Sequence, residues 1–308
     1  MKKKVKQRSP WAIAGIILGS MFLLLFLFVI LPVLILFNGE HLSGNIALIP
    51  VNGVITGNGA STFGSAAASS EQIVHFIEEA EENPLVKGIL IEINSPGGSA
   101  VASDEIGKAI KLAKKPVVSV IREVGASGGY WIASATDHVI ANRMSITGSV
   151  GVISSYLEFS GLLDNYNITY QRMVAGSRKD LGTPLKKLTE DERVILQSKL
   201  DKIHDYFIQE IAENREMTTA RVTALATGEF YLGIEAFELG LVDQLGDRKE
   251  AEEYFKKQLG MDEVEYSKYT ASIGFLEAFS GVISQYFFNV GEGIGTSLTS
   301  SQQHLYLS

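Results

Sequence analysis

The chain has 308 residues and a net charge of −8, and it contains no cysteine. It can therefore form neither a disulfide framework nor a thiolate metal site, so covalent catalysis would need Ser, Thr, Lys or a carboxylate. Five cations lie within residues 1–8, which leaves the rest of the chain more acidic than the total. An acidic body argues against nucleic acid as the partner.

The segment 11–37 carries no charged residue and exceeds the roughly 20 residues that span a bilayer. A cleaved signal peptide is the alternative, but residues 36–40 lack the small side chains of a cleavage site. We therefore predict an uncleaved transmembrane anchor. Basic residues precede this segment and none follows it before Lys87, so we expect a cytoplasmic N-terminus and a body on the extracytoplasmic face of the cell membrane.

Beyond the anchor, apolar runs of strand length alternate with segments of helical periodicity. We predict a return strand at Val54–Ile55 after a turn at Asn52–Gly53, and a loop over residues 57–70. The other predicted elements are strands at 46–51, 88–93 and 116–121 and helices at 71–82, 100–113 and from Tyr130 onward. This alternation predicts an α/β domain with a mostly parallel sheet.

Two glycine-rich turns, at residues 94–99 and 125–129, follow predicted strands of this sheet. Because sites in such sheets lie beyond the carboxyl ends of the strands, the two turns should be neighbours. Backbone N–H groups of Gly97 or Gly98 and of Gly128 could then hold an oxyanion. The alternative is that both turns are structural, since Ser-Pro-Gly-Gly also suits a type II turn.

Ser127 lies on the second turn, and Gly125–Gly129 matches the G-x-S-x-G pattern of a nucleophile elbow. That pattern requires a later histidine, yet His138 begins a predicted strand and His304 lies in a polar tail. His204 lies inside a predicted long helix over about 190–214, where packing or a solvent boundary explains it. A Ser–His mechanism is therefore disfavoured, although a simple capping serine stays possible.

A lysine that loses its proton is the other general base available to a serine nucleophile. Lys179 follows a predicted strand that runs from Tyr170 to Gly176, and it precedes Asp180. From the residues alone, nothing distinguishes Lys179 from a surface lysine.

Five motifs occur in a fixed order: Asn94–Gly98, Ala126–Tyr130, Ile146–Gly151, Gly176–Asp180 and Leu239–Asp243. With the predicted anchor, they resemble the signal peptide peptidase A family of serine–lysine peptidases, a branch of the Clp protease/crotonase superfamily. The resemblance covers roughly residues 46–250. It implies a Clp protease/crotonase-like core of ββα type, with Ser127 as nucleophile, Lys179 as general base and Ser149 orienting that lysine.

The same resemblance implies a membrane-anchored endopeptidase that degrades signal-peptide remnants and other short apolar peptides. Both catalytic residues are expected in one region of the protomer, and copies are expected to assemble into a ring or dome. No metal or cofactor is expected, and the expected partners are peptides, membrane lipid and further copies. Two alternatives stay open: a catalytically silent membrane scaffold and a crotonase-type enzyme that acts on thioesters.

These features divide the chain into five parts. Residues 271–290 hold apolar side chains at helical spacing. They predict an amphipathic helix that lies on the membrane or contacts another subunit. A second span is the disfavoured alternative, because no Lys or Arg follows Lys268. The predicted parts are a basic cytoplasmic N-terminus (1–10), the transmembrane anchor (11–37), a linker (38–45), the peptidase domain (46–259) and a C-terminal extension (260–308).

Overall fold

The computed structural model describes residues 10–31, 44–59 and 67–270. The chain divides into two compact units, one of residues 1–38 and 270–308 and the other of Gly39–Tyr269. In the first unit, helix α1 (Pro10–Leu25) continues into a π-helical turn at Phe26–Ile30.

Within those three described ranges, no helix combines the length and the apolar character needed to cross a membrane. Residues 32–37 of the predicted anchor lie outside the described residues, as does the predicted amphipathic helix at 271–290.

The second unit is built on a mostly parallel sheet, as the sequence predicts. In the order β10-β1-β4-β5-β6-β9 all neighbours are parallel, while β7 continues the pairing along β5 and is antiparallel to β8. A separate parallel pair is formed by β2 and β3. The strands are β1 (Ile46–Asn52), β2 (Val54–Thr56), β3 (Ala67–Ser69), β4 (Gly88–Ser95), β5 (Val117–Ala126), β6 (His138–Ala141), β7 (Ile146–Gly148), β8 (Phe230–Leu232), β9 (Gln244–Leu245) and β10 (Tyr266–Lys268).

Helices cover both faces of this sheet, which explains the long apolar runs in its central strands β1, β4 and β5. On one face, Ala251 and Phe255 of the last helix pack on Ile46 and Leu90. The other face forms the larger core, in which the helices after β3, β4 and β5 and the long helix take part. The helices are α2 (Ser70–Glu82), α3 (Ala100–Leu112), α4 (Gly128–Ser134), α5 (Ser160–Asn165), α6 (Glu190–Asn214), α7 (Thr219–Leu225), α8 (Gly233–Leu239) and α9 (Arg248–Leu259).

Strand β5 is longer than its apolar run predicts. The predicted strand ends at Ile121 because Arg122 and Glu123 are polar, yet the observed strand continues to Ala126. Its first part pairs with β6 and its last three residues pair with β7. At the irregularity between the two parts, the Asn94 side chain accepts a hydrogen bond from the Val124 N–H at 3.2 Å. The extension carries the chain directly to Ser127.

The structure corrects two predicted strands and one predicted loop. The segment Val54–Ile55 does not return along β1 but pairs with β3, so residues 67–69 of the predicted loop are a strand. No strand forms over residues 170–176, where most side chains are exposed. A strand needs a neighbour for its backbone hydrogen bonds, and this segment has none among the described residues.

Candidate active site

Ser127 occupies a strained turn between β5 and α4. Its φ of 52° and ψ of −121° lie outside the common regions for a non-glycine residue, at a cost of about 1–3 kcal/mol. The Ser127 N–H donates to the Gly148 carbonyl at 2.8 Å. The half-buried hydroxyl makes no cap bond to α4 and has no other hydrogen-bond partner in the described part of the chain. The turn therefore presents a free hydroxyl at the carboxyl end of β5.

The Gly97–Gly98 turn packs directly on this serine, which confirms that the two glycine-rich turns are neighbours. A Cβ on Gly97 would lie 2.7 Å from the Gly128 nitrogen and 2.9 Å from the Ser127 Cβ. Gly97 also has a φ of +101°, and a Cβ on Gly98 would lie 2.1 Å from the Ile55 carbonyl oxygen. Both positions require glycine because no side chain fits there.

Two of the three predicted oxyanion donors are free. The Gly97 N–H donates to the Ser95 hydroxyl at 3.1 Å, so it is already used. Neither the Gly98 N–H nor the Gly128 N–H has an acceptor among the described residues, and the Gly98 nitrogen lies 3.3 Å from the place of a Cβ on Gly128. Adjacent free N–H groups beside a serine hydroxyl can hold the oxyanion that forms when a carbonyl carbon is attacked.

Ser149 lies near Ser127 because the Ser127 N–H donates to the carbonyl of Gly148, the residue just before Ser149. It too has a positive φ, of 50°, and its N–H donates to the Glu229 carbonyl at 2.9 Å. Its hydroxyl donates to the Gly228 carbonyl at 3.2 Å. The hydroxyl oxygen keeps lone pairs that can accept a hydrogen bond from an amine. The geometry is compatible with the lysine-orienting role, which stays a prediction.

Ser127 and Ser149 line one open cleft of about 480 Å³. His204 of α6 lies on its wall, half-buried, with Nε2 at 3.3 Å from the Val150 carbonyl oxygen. The helical periodicity of the sequence could not place His204 at this cleft. Periodicity shows which residues share a helix face but not which neighbour that face contacts. The other lining residues are Pro96, Gly151, Val152, Ile153, Gln197, Leu200, Asp201, Thr227 and Gly228.

Lys179 does not line this cleft. It is exposed, and its ammonium group has no hydrogen bond or ion pair within residues 10–31, 44–59 and 67–270. The turn that carries it is fixed: the Lys179 N–H donates to Gly176, and Arg172 Nε and Nη2 bind the Asp180 carboxylate at 2.6 and 2.9 Å. These hydrogen bonds hold the pKa of Asp180 at about 2. A single chain therefore presents the lysine on a defined, exposed turn that is not part of the lining of the Ser127 cleft.

The motif at residues 239–243 supports the helix that begins at the serine. The Tyr130 side chain is fully buried, and its hydroxyl donates to the Leu241 carbonyl at 2.8 Å. Burial raises the pKa of this phenol, which keeps it neutral. The contact ties α4 to the segment between α8 and β9 and so helps to fix the position of Ser127.

A strained serine with a free hydroxyl beside two free backbone N–H groups has the geometry of a serine hydrolase. Comparison with known proteins makes the class more specific, since residues 109–262 match the model of peptidase family S49. The putative signal peptide peptidase SppA of Enterococcus faecium is 35% identical over 243 residues, which cover 77% of this chain and 70% of that protein. The chain belongs to peptidase family S49 and is a serine peptidase.

Two further relatives are more distant. The putative protease MJ0651 of Methanocaldococcus jannaschii is 28% identical over 245 residues, which cover 78% of this chain and 77% of that protein. Protease 4 of Haemophilus influenzae is 31% identical over 219 residues, which cover 69% of this chain but 35% of that protein.

Proposed function

We propose that this chain is a membrane-anchored endopeptidase with Ser127 as nucleophile and Lys179 as general base. The observation that carries the proposal is the Ser127 hydroxyl on a strained turn, beside the N–H groups of Gly98 and Gly128, with none of the three groups bonded to another described residue. Strain of this kind persists where the surrounding structure holds a residue in place for its chemistry.

Acylation begins when neutral Lys179 takes the proton of the Ser127 hydroxyl and the oxygen attacks the scissile carbonyl carbon. The carbonyl oxygen becomes an oxyanion, which accepts hydrogen bonds from the Gly98 and Gly128 N–H groups. The C–N bond then breaks, and the leaving amine takes its proton from the Lys179 ammonium. The products of this half-reaction are a free amine and an ester on Ser127.

Deacylation repeats these steps with water. Lys179 takes a proton from the water as its oxygen attacks the ester carbonyl, and the same two N–H groups hold the second oxyanion. Ser127 then leaves and regains its proton from Lys179, which releases a carboxylic acid product. In this scheme Ser149 accepts a hydrogen bond from the lysine amine and keeps the amine directed at Ser127.

The position of Lys179 leads us to propose that the dyad forms between copies of the chain. Lys179 is exposed, lies outside the Ser127 cleft and has no partner within the described residues. The segment around it also exposes large apolar side chains, which a partner surface would cover. They include Ile153, Leu157, Leu162, Tyr166, Ile168 and Met173. Assembly of copies would bury these side chains and bring a lysine to each serine.

Short apolar peptides, including signal-peptide remnants, are the proposed substrates. The walls of the cleft combine the apolar side chains of Val152, Ile153 and Leu200 with polar ones, and the cleft is open at the surface. An extended peptide without tertiary structure fits such a site, whereas a folded protein would first have to unfold. The name of the Enterococcus faecium relative agrees with this substrate class.

A single membrane anchor at residues 11–37, with a cytoplasmic N-terminus, completes the proposal. Its support is the uncharged run and the preceding basic residues. Helix α1 also exposes large apolar side chains such as Trp11 and Phe22. Because the chain lacks cysteine, one cysteine placed near residue 5 or at exposed Leu112 can report topology. A membrane-impermeant thiol reagent applied to intact cells should label only the second, and labelling of the first alone would contradict this orientation.

The test of the dyad is cleavage of an unstructured apolar peptide by the full chain in detergent, followed by mass spectrometry. We expect the parent to cleave and both Ser127→Ala and Lys179→Ala to lose activity by at least about 10³-fold, the scale for a residue in such a unit. Lys187→Ala, which removes another exposed lysine of the same segment, should keep activity. Equal cleavage by the parent and Ser127→Ala would contradict the nucleophile assignment.

Mixing the two inactive variants tests the assembly. If the dyad forms between copies, co-expressed Ser127→Ala and Lys179→Ala chains should regain part of the activity, because some sites combine an intact serine with an intact lysine. No recovery in assemblies shown to contain both chains would place both groups in the same chain. No cleavage by the parent on any peptide would favour the alternative of a silent membrane scaffold.

A further inference from the structure

Ser95, the last residue of β4, is fully buried two residues before Gly97 and three before Gly98, the proposed oxyanion donor of this turn. It does not line the cleft, and the mechanism above gives it no task. Its hydroxyl makes two hydrogen bonds: it donates to the Gly53 carbonyl at 2.6 Å and accepts from the Gly97 N–H at 3.1 Å.

These bonds fix the first of two consecutive peptide planes. The first plane lies between Pro96 and Gly97, and its N–H is held by the Ser95 hydroxyl. Gly53, whose carbonyl accepts from that hydroxyl, is itself held because its N–H donates to the Asn94 carbonyl at 3.0 Å. The next plane lies between Gly97 and Gly98, and it is held through its carbonyl group, since the Gly97 carbonyl accepts from the Ile55 N–H at 2.9 Å. In a trans peptide the C=O and N–H groups point in opposite directions. The Gly98 N–H is therefore directed away from Ile55.

We propose that Ser95 is a positioning residue for catalysis, because it sets the direction of the oxyanion-binding N–H of Gly98. By taking the Gly97 N–H and fixing one side of the Gly97 φ of +101°, it leaves Gly98 as the turn's single free donor beside Gly128. A glycine in this region is readily rearranged once its hydrogen bonds are lost. Without the hydroxyl, the Ile55 N–H still holds the second plane, but the first plane loses its bond, so the Gly97 φ can change and tilt the Gly98 N–H away from its aligned position.

This inference rests on the proposed nucleophile and predicts a defect in the transition state rather than in peptide binding. Hydrogen bonds to the oxyanion form only after attack, so their loss lowers kcat and leaves KM unchanged. Removing one oxyanion donor completely costs about 10²–10³-fold in kcat. Misdirecting one donor should cost part of that, on the order of tenfold.

The experiment compares Ser95→Ala with Ser119→Ala in the full chain. Ser119 is also fully buried at a strand of the same sheet and bonds Thr136 Oγ1 at 2.8 Å, so its removal is a matched loss of one buried hydroxyl. We expect Ser95→Ala to lose kcat about tenfold with KM within about twofold, and Ser119→Ala to keep both. Affinity for a peptide boronic acid, whose serine adduct places an oxygen among the oxyanion donors, should fall in parallel for Ser95→Ala alone.

Unchanged kcat and boronate affinity in Ser95→Ala, with Ser127→Ala inactive, would overturn the role of Ser95 and leave the nucleophile intact. Full activity of Ser127→Ala would instead overturn the proposed function. If Ser95→Ala does not fold, Ser95→Cys keeps the side-chain shape with a slightly larger atom that is a weaker acceptor, and it should show a smaller loss of kcat with the same unchanged KM. A Ser95→Cys enzyme with raised KM and normal kcat would also contradict the inference.

Discussion

Gly128 is confined from two directions, by the turn at Gly97 and by Ser103 of α3. A Cβ on Gly128 would lie 2.3 Å from the Ser103 Oγ and 3.4 Å from the Ser103 Cβ. Ser103 is fully buried, and its hydroxyl donates to the Ser99 carbonyl at 3.0 Å, so it cannot easily move aside. The free N–H of Gly128 therefore has its place only because residue 128 has no side chain.

Replacing Gly128 by alanine should lower kcat/KM on the order of 10²-fold, because the N–H must shift away from the oxyanion. Ser103→Ala removes the colliding oxygen, so the double variant should recover much of this loss. Steady-state kinetics of both single variants and the double variant measure the coupling. Strictly additive losses would show that Ser103 does not confine Gly128.

The sequence predicted that the two glycine-rich turns are neighbours, which the structure confirms, but it did not predict which N–H groups of these turns lack an acceptor among the described residues. Glycine patterning indicated a turn at Gly97–Gly98, and the elbow pattern indicated Ser127. The Ser95 hydroxyl accepts the Gly97 N–H, and Ile55 of β2 binds the Gly97 carbonyl, so among the described residues only the Gly98 N–H of this pair has no acceptor. The bond from Ile55 joins two separate elements. Residue spacing does not encode such a contact, so only the structure could assign Gly98.

At the scale of elements, the C-terminal end of α6 is held by a pair of charges. Arg215, whose side chain is 8% exposed, binds both carboxylate oxygens of Asp243, with Nη1 at 3.0 Å from Oδ2. The same carboxylate accepts the Val139 N–H at 2.8 Å. Burial would raise the pKa of Asp243, but the bonds from Arg215 and Val139 outweigh it and the pKa is lowered.

Asp243→Asn should lower the free energy of unfolding at pH 7 by roughly 2–3 kcal/mol, less than for a fully buried pair because Asp243 keeps some solvent contact. Because the pKa of Asp243 is lower in the folded protein than in the unfolded chain, its ionised carboxylate stabilises the fold at pH values above the unfolded pKa of about 3.9. This contribution is lost as the pH falls through the pKa of the folded protein. The difference between parent and variant should therefore be constant from pH 7 to 5 and shrink below pH 4.

Urea unfolding at several pH values measures this difference. Asp262→Asn is the matched control, because Asp262 is exposed and has no hydrogen bond or ion pair within the described residues. A difference for Asp243→Asn that stayed the same down to pH 2.5 would contradict the proposed ion pair.

Elements whose residues form a clear local sequence pattern could be predicted. Elements that depend on pairing with a distant strand of the same chain could not. Helix α6 has the predicted bounds, and Thr189 and Glu192 form a capping box at its start. The predicted strand at 170–176 was wrong because this segment has no neighbouring strand among the residues that the structure describes. The true length of β5 was missed because Arg122 and Glu123 interrupt the apolar run while the backbone pairing continues along β7.

At the scale of the whole molecule, one chain brings Ser127 and Ser149 to one cleft, with the Gly98 and Gly128 N–H groups beside Ser127, while Lys179 lies on an exposed turn outside the lining of that cleft. The sequence and its family resemblance indicated all of these residues, yet they could not show that Lys179 does not line the Ser127 cleft of a single chain. Assembly geometry is determined by surfaces between copies, and residue patterns within one chain do not define it. We propose that the exposed apolar side chains at residues 153–173 form part of such surfaces.

The proposed mechanism depends most on Ser127 as the nucleophile, and covalent labelling tests this directly. An alkyl fluorophosphonate reacts with an activated serine to form an O–P bond with loss of fluoride, and mass spectrometry of the digested protein locates the adduct. We predict one adduct, on Ser127, which Ser127→Ala abolishes and Lys179→Ala forms much more slowly. An adduct on another residue, or equal labelling of the parent and Ser127→Ala, would contradict the account.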